Sequence, residues 1–229
     1  MTVVDADLAA LDPDLHCDDL GSILSRRVSG RFAVDEWGLD LDLRTAVGPL
    51  VRARWSLGLE GESVLPEIGA ALLVHTRRVG LSEPAVLAAA VAEATDRPLR
   101  FTGVPASVGP FAPLAPLARR LGAVPGNPAD LRSLLRAGEL VSVPLGREIR
   151  HPFHVGPVPV APIAVALDAG APIIPVAVLG IEAGRWWTVR FGPPITTRRR
   201  RAIGDPAELA EATRVALQHL VTDSRRRPT

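Results

Sequence analysis

Residues 70–75 read Ala-Ala-Leu-Leu-Val-His, an apolar run with no polar alternation. A run of that kind suits a strand buried on both faces, and such strands belong to parallel sheets covered by helices above and below. Further strands are predicted at 55–60, 99–104, 140–144, 173–179 and 186–191. Helix punctuation separates these strands. Ser82 followed by Glu83-Pro84 predicts a cap and first turn, and then places Val86, Leu87, Ala90, Val91 and Ala94 on one stripe. Asn127-Pro128-Ala129-Asp130 supplies a cap, a Pro at the first position and an acid in the first turn. Leu131, Leu134 and Leu135 then share a face, and Gly138 stops the helix. Helices are also predicted over 41–54, 111–121 and 161–169, the last ended by Gly170. Asp205-Pro206-Ala207-Glu208 opens a final helix with a capping-box pattern, whose expected buried stripe is Leu209, Ala212, Ala216 and Leu220. Strands alternating with helices predict an α/β fold: a largely parallel, mixed sheet flanked by helices. Ligands in such folds sit beyond the carboxyl ends of the strands, so the loops after His75, Val104, Val124, Pro144 and Leu179 are the ones to examine.

The chain has 229 residues, 47% of them apolar, enough for one large core without metals or disulfides. A single cysteine, Cys17, excludes an internal disulfide framework and a multi-thiolate metal site, and a reducing cytosol is the natural expectation. All 26 basic residues are Arg, and Tyr is absent, which removes Lys Schiff-base chemistry and a catalytic Tyr. The net charge of +1 is unevenly spread: six Asp lie between Asp5 and Asp19, while Arg198–201 and Arg225–227 sit toward the other end. These observations divide the chain into a weakly ordered acidic arm (1–30), an α/β domain (31–224) and a basic tail (225–229). Charge runs of this kind are usually solvated surface; the other reading is contact with anionic headgroups. Nucleic acid is not an expected partner, because the chain is only 4% aromatic and not strongly basic overall. No basic-then-apolar leader opens the sequence, which predicts a cytoplasmic protein. The longest apolar stretch, 155–181, holds Asp168 and Pro157, Pro159, Pro162, Pro172 and Pro175, so it reads as a buried helix and strand rather than a membrane span.

The lead-in Val34-Asp35-Glu36-Trp37-Gly38-Leu39-Asp40 is followed by Gly58-Leu59-Glu60-Gly61 and Gly69-Ala70-Ala71-Leu72-Leu73-Val74. In this order the pieces resemble the glycerolipid acyltransferase family that includes the 1-acylglycerol-3-phosphate acyltransferases. Arg120-Leu121-Gly122-Ala123-Val124-Pro125 is similar to the family's second block, and Leu135-Arg136-Ala137-Gly138-Glu139-Leu140 leads into its third. Ala166-Leu167-Asp168-Ala169-Gly170-Ala171-Pro172-Ile173-Ile174-Pro175-Val176 resembles the fourth, and Val189-Arg190-Phe191-Gly192-Pro193-Pro194-Ile195 the closing strand and turn. The resemblance spans roughly Phe32 to Val221. It implies an acyltransferase-like α/β fold and, as ligands, an acyl thioester (acyl-CoA or acyl-carrier protein) or a phospholipid.

It also implies a chemistry whose residues are altered here. In the family a His with an Asp five residues on deprotonates the acceptor hydroxyl, the Asp holding the imidazole tautomer. Counting from the strand puts Arg77 and Ser82 in those places; counting back from the helix puts Arg78 and Glu83 there. A guanidinium stays protonated and cannot act as a base. The family's Pro-Glu-Gly-Thr-Arg phosphate grip corresponds to Pro144-Leu145-Gly146-Arg147-Glu148. The stand-in base with the most in its favour is His75, paired with Glu83; the plain alternative is a strand-end packing residue whose ring is satisfied by backbone. His151 and His154 are further candidates, whereas His16 and His219 read as surface positions and Ser82 as a cap rather than a nucleophile. Arg77 and Arg78 beside a helix start, with Gly146 and Arg147, make an anion-binding set, or merely pair with Glu83 and Glu148.

Two functional readings follow from the resemblance. One is a catalytically impaired acyltransferase-fold protein of glycerolipid metabolism that binds acyl chains or lipids, or regulates an active homologous acyltransferase. The other is an active enzyme that moves an acyl group from acyl-CoA or acyl-carrier protein to a hydroxyl or amine with His75 as base. Neither requires a metal or other cofactor. Peripheral contact with the inner face of a membrane is expected through the apolar face of 110–121 with Arg119 and Arg120.

Overall fold

A computed structural model describes residues 34–76, 82–102, 115–145, 154–195 and 205–223. The acidic arm, the basic tail, and Arg77, Arg78, Gly146, Arg147 and His151 lie outside the described residues. In chain order the elements are α1 (Leu41–Arg54), β1 (Ser56–Glu60), a 3-10 turn (Glu62–Val64), β2 (Ala71–His75), α2 (Ser82–Thr95), β3 (Leu99–Phe101), α3 (Ala115–Arg120), α4 (Pro128–Arg136), β4 (Leu140–Pro144), α5 (Val160–Ala169), β5 (Ile173–Gly180), β6 (Trp186–Phe191) and α6 (Pro206–Asp223).

The strands form one sheet in the order β1-β6-β5-β2-β4-β3. β5, β2, β4 and β3 are mutually parallel; β6 runs antiparallel to β5, and β1 is parallel to β6. The expected largely parallel, mixed α/β sheet is therefore present. All five residues of β2 are buried. Ala71 and Leu73 enter one apolar cluster with Val86, Leu87, Ala90 and Val91 of α2. Leu72 and Val74 enter another with Leu131, Leu134 and Leu135 of α4, Ile163 of α5 and Leu209 of α6. Alternate residues of one strand thus feed two cores, which is what an apolar run without alternation requires.

The start of α4 follows its sequence signature, with the Asn127 side chain accepting the Asp130 N–H at 2.9 Å. Helix α6 differs from expectation. Its buried line is Leu209, Thr213, Leu217 and Val221, one position round from the predicted stripe of Ala212, Ala216 and Leu220. Thr213 donates its hydroxyl to the Leu209 carbonyl at 2.7 Å, so a polar residue enters the core with its hydrogen bond made. Gly122 has φ +107°, and a Cβ there would stand 2.7 Å from the Leu99 carbonyl oxygen, so only glycine lets this segment run beside β3.

The lead-in segment is held by charge. Asp35 Oδ1 accepts the N–H groups of Trp37 and Leu39, each at 2.9 Å, and its Oδ2 takes a hydrogen bond from Arg100. Arg100, 2% exposed on β3, also donates through Nε to Glu139 at 3.3 Å. Asp40 then caps α1 by accepting the Leu43 N–H at 2.9 Å. Burial pushes the Asp35 carboxyl up, but the Arg100 hydrogen bond and charge and the two backbone donors outweigh it, and the group titrates below its ordinary 3.8.

A depressed carboxylate contributes stability above its unfolded value and loses it as pH falls through the folded one. Asp35→Asn is expected to cost about 1 kcal/mol at neutral pH, less than the roughly 1.5–3 kcal/mol of hydrogen bonds to charged groups because Asp35 is open to solvent screening. It should also flatten the loss of stability below pH 3.8, read from urea midpoints across pH. An unchanged acid limb would remove Asp35 from the account.

Candidate functional site

The parallel core of the sheet brings the carboxyl ends of β2, β3, β4 and β5 to one edge, and β6 and β1 begin there. The opposite edge is bolted by Arg97, whose guanidinium donates to the carbonyls of Pro66, Gly69 and Gly138 at 2.8, 2.9 and 2.7 Å. Those contacts lie in the loops that enter β2 and β4. The other edge carries the candidate residues.

His75 ends β2, level with Pro144 of β4 and Val176 of β5. It shares parity with Ala71 and Leu73, so it belongs to the face covered by α2. The residue is 2% exposed. Its Nδ1 lies 2.8 Å from the Thr76 carbonyl oxygen. A carbonyl only accepts, so Nδ1 carries a proton, and in the neutral ring the lone pair is then on Nε2. Thr76 continues the sheet: its N–H donates to the Val176 carbonyl at 3.1 Å, and its hydroxyl oxygen accepts the Val178 N–H at 2.9 Å.

Glu83 lies in the first turn of α2, is 2% exposed, and is not left unpartnered. Burial of a carboxylate demands as much. Helix α2 covers the face to which His75 belongs, so the fold brings this candidate pair into one layer at one end of the sheet. Ser142 joins the same face, since it pairs with Leu73 across β2 and β4. Its hydroxyl is fully buried and has no hydrogen-bond partner among the described residues.

Ser82 behaves differently from its expected capping role. It is the first residue of α2, and both its N–H and its hydroxyl donate to Glu182 Oε1, at 3.0 and 2.7 Å. Glu182 sits in the turn between β5 and β6, 100 residues away in sequence. A carboxylate at the positive end of the helix dipole is favourable, and it holds the β5–β6 turn against α2. No local pattern in the sequence announces this contact. His154 and His219 are both exposed. Among the described residues no group of three or more His, Cys, Asp and Glu side chains is placed to hold a metal ion.

The unsatisfied Ser142 hydroxyl yields a direct check. Ser142→Ala removes a buried donor that has nothing to bond, so stability should stay level or rise by about 1 kcal/mol. A fall of more than about 1 kcal/mol in denaturant melts would show that the hydroxyl has a partner after all.

No family model matches the chain, and no curated protein matches it. Among solved structures it is similar to the crystal structure of the 1-acyl-sn-glycerophosphate (LPA) acyltransferase PlsC from Thermotoga maritima, at a TM-score of 0.63 and 15% identity, over 91% of this chain and 89% of that one. At that identity the likeness speaks for the fold, and the conclusion it carries is that this chain is built on the acyltransferase-type α/β fold.

Proposed function

We propose that this chain is an acyl- or lipid-binding protein of glycerolipid metabolism, with the transfer chemistry of its fold impaired. One observation supports this most: His75 is 2% exposed and its ring is tied to the backbone at Thr76. A general base has to reach the acceptor hydroxyl at roughly 2.6–3.2 Å. An imidazole packed beneath α2 is poorly placed to do so. In either register of the motif, an Arg stands where the resemblance expects the base, and a guanidinium does not give up its proton.

On this reading the ligand is an acyl thioester, on CoA or on acyl-carrier protein, or a phospholipid. Arg77, Arg78, Gly146 and Arg147 are the residues proposed to grip its phosphate. The protein would serve as a carrier or as a regulatory partner of an active homologous acyltransferase, working in the cytoplasm or at the inner membrane face.

A second reading has an observation in its favour. Donation from Nδ1 to the Thr76 carbonyl leaves Nε2 as the unprotonated nitrogen, the tautomer a base requires. His75 would then take the proton of a hydroxyl or amine acceptor, with Glu83 stabilising the imidazolium, once movement near α2 admits the substrate.

Titration of the purified protein with a long-chain acyl-CoA, alone and with lysophosphatidic acid, separates the two. The first reading expects saturable binding without release of free CoA, and binding unchanged in His75→Gln. The second expects CoA release that falls by about 100-fold or more in His75→Gln, the weight of a general base. Absence of both binding and turnover would sink both.

A further inference from the structure

The β5–β6 hairpin stands out from the edge that carries His75. His75 is level with Val176, and β5 continues to Gly180, four residues further (180 − 176). At about 3.3 Å per residue the hairpin overhangs that level by roughly 13 Å. Its tip carries two large exposed side chains, Ile181 at 73% and Trp186 at 77%. Leu50, 57% exposed, faces solvent on α1, whose last turn reaches the same hairpin.

The tip is rigid. Trp187, 2% exposed, packs its indole over Gly180, where a Cβ would come within 2.3 Å of the ring. Only glycine permits that closure, and it commits Trp187 inward while its neighbour Trp186 remains outside. Arg54 donates to the Gly184 carbonyl at 3.0 Å and lies 5.5 Å from the Trp55 ring centre. Ser56 N–H donates to the Arg185 carbonyl at 2.8 Å, and Glu182 is bound to Ser82 as described. A backbone already braced by these contacts leaves only side-chain rotamers to be ordered when Trp186 and Ile181 enter another phase.

The charge balance at the tip is positive. Arg54 and Arg185 are exposed there against the single carboxylate of Glu182, which accepts from Ser82, while the Arg52 guanidinium lies back along α1 beside Gly48. A rigid, exposed Trp with an aliphatic neighbour and a pair of Arg is the composition that seats at the boundary of an anionic bilayer. The indole occupies the headgroup level, and the guanidiniums meet phosphates. No helix among the described residues is long and apolar enough to cross a membrane, so contact through this tip would be superficial.

We infer that the β5–β6 hairpin and the end of α1 form a docking face for an anionic lipid surface, with Trp186 and Ile181 inserting and Arg54 and Arg185 lying on the headgroups. This face differs from the 110–121 segment suggested by the sequence. It sets the His75 edge toward the lipid, the direction from which an acyl or phospholipid ligand would come. The inference deepens the membrane-face part of the proposed function by naming the contact surface, and its observations are exposure, bracing contacts and charge.

The test uses the full chain with vesicles of pure phosphatidylcholine and of phosphatidylcholine mixed with phosphatidylglycerol. Wild type is expected to co-sediment with the mixed vesicles, with a blue shift of tryptophan emission, and to bind the zwitterionic ones weakly. Trp186→Ala should lower the partition by roughly tenfold, the weight of one buried aromatic side chain. Arg54→Gln and Arg185→Gln should each lower it by about fivefold and reduce its salt dependence. Trp186→Phe should keep most of the binding and lose most of the blue shift. Because Trp186 is exposed, these variants are expected to fold as wild type does, which near-ultraviolet dichroism checks. Failure of wild type to bind mixed vesicles would overturn the inference. So would equal binding by wild type, Trp186→Ala and Ile181→Asp, or a concentration-dependent dimer in place of lipid binding. Acyl-CoA titration in vesicle-free buffer reports on the proposed function alone, so failure of one does not imply failure of the other.

Discussion

Strand β2 is closed on both faces, and the rest of the structure is arranged around that closure. Its side chains alternate between two apolar layers, so a helix must lie on each side of the sheet. Its flanks are taken by β4 and β5, both parallel to it. A strand so enclosed can end in a polar residue only if that residue brings its own partner. His75 does so through the carbonyl of the next residue, at 2.8 Å. The same enclosure that makes the sheet stable therefore decides how much of the imidazole a substrate could meet. That is the physical root of the proposal that the chain binds rather than transfers.

Arginine has two uses in this molecule, both following from its planar, many-donor head. At one edge of the sheet Arg97 gathers three loop carbonyls, and on β3 Arg100 gathers two carboxylates. Arg100 is buried and Arg97 half-buried, and both are structural staples. At the other edge Arg54 and Arg185 stay exposed on the side of the sheet that carries Trp186. A chain without Lys has to use one residue type for both tasks, and burial tells them apart.

Much of the fold was legible because it rests on local signals. The apolar runs of β2, β4 and β5, the Asn127 cap and the glycine stops act within a few residues, and the sheet they predicted is present. The α6 stripe was misplaced because Thr213 reads as polar, while its bond to the Leu209 carbonyl makes it a core residue. The lead-in motif could be quoted but not explained, since its meaning lies in Asp35 reaching Arg100, 65 positions on. A charged residue inside an otherwise apolar strand was the available hint. The Ser82–Glu182 contact left no hint, because no period or spacing links those positions. Of the candidate site, His75 and Glu83 fall in one layer at the expected edge, which is as far as strand parity and helix order could take them. Arg77, Arg78, Gly146 and Arg147 lie outside the described residues, and their role stays a proposal.

The most direct measurement is the reactivity of individual histidines toward diethyl pyrocarbonate, followed site by site by mass spectrometry. If the imidazole of His75 is closed in beneath α2, the exposed His154 and His219 should be modified while His75 is spared, with or without acyl-CoA. Modification of His75 as fast as His154, suppressed by acyl-CoA, would contradict the account and place an accessible base at the ligand site.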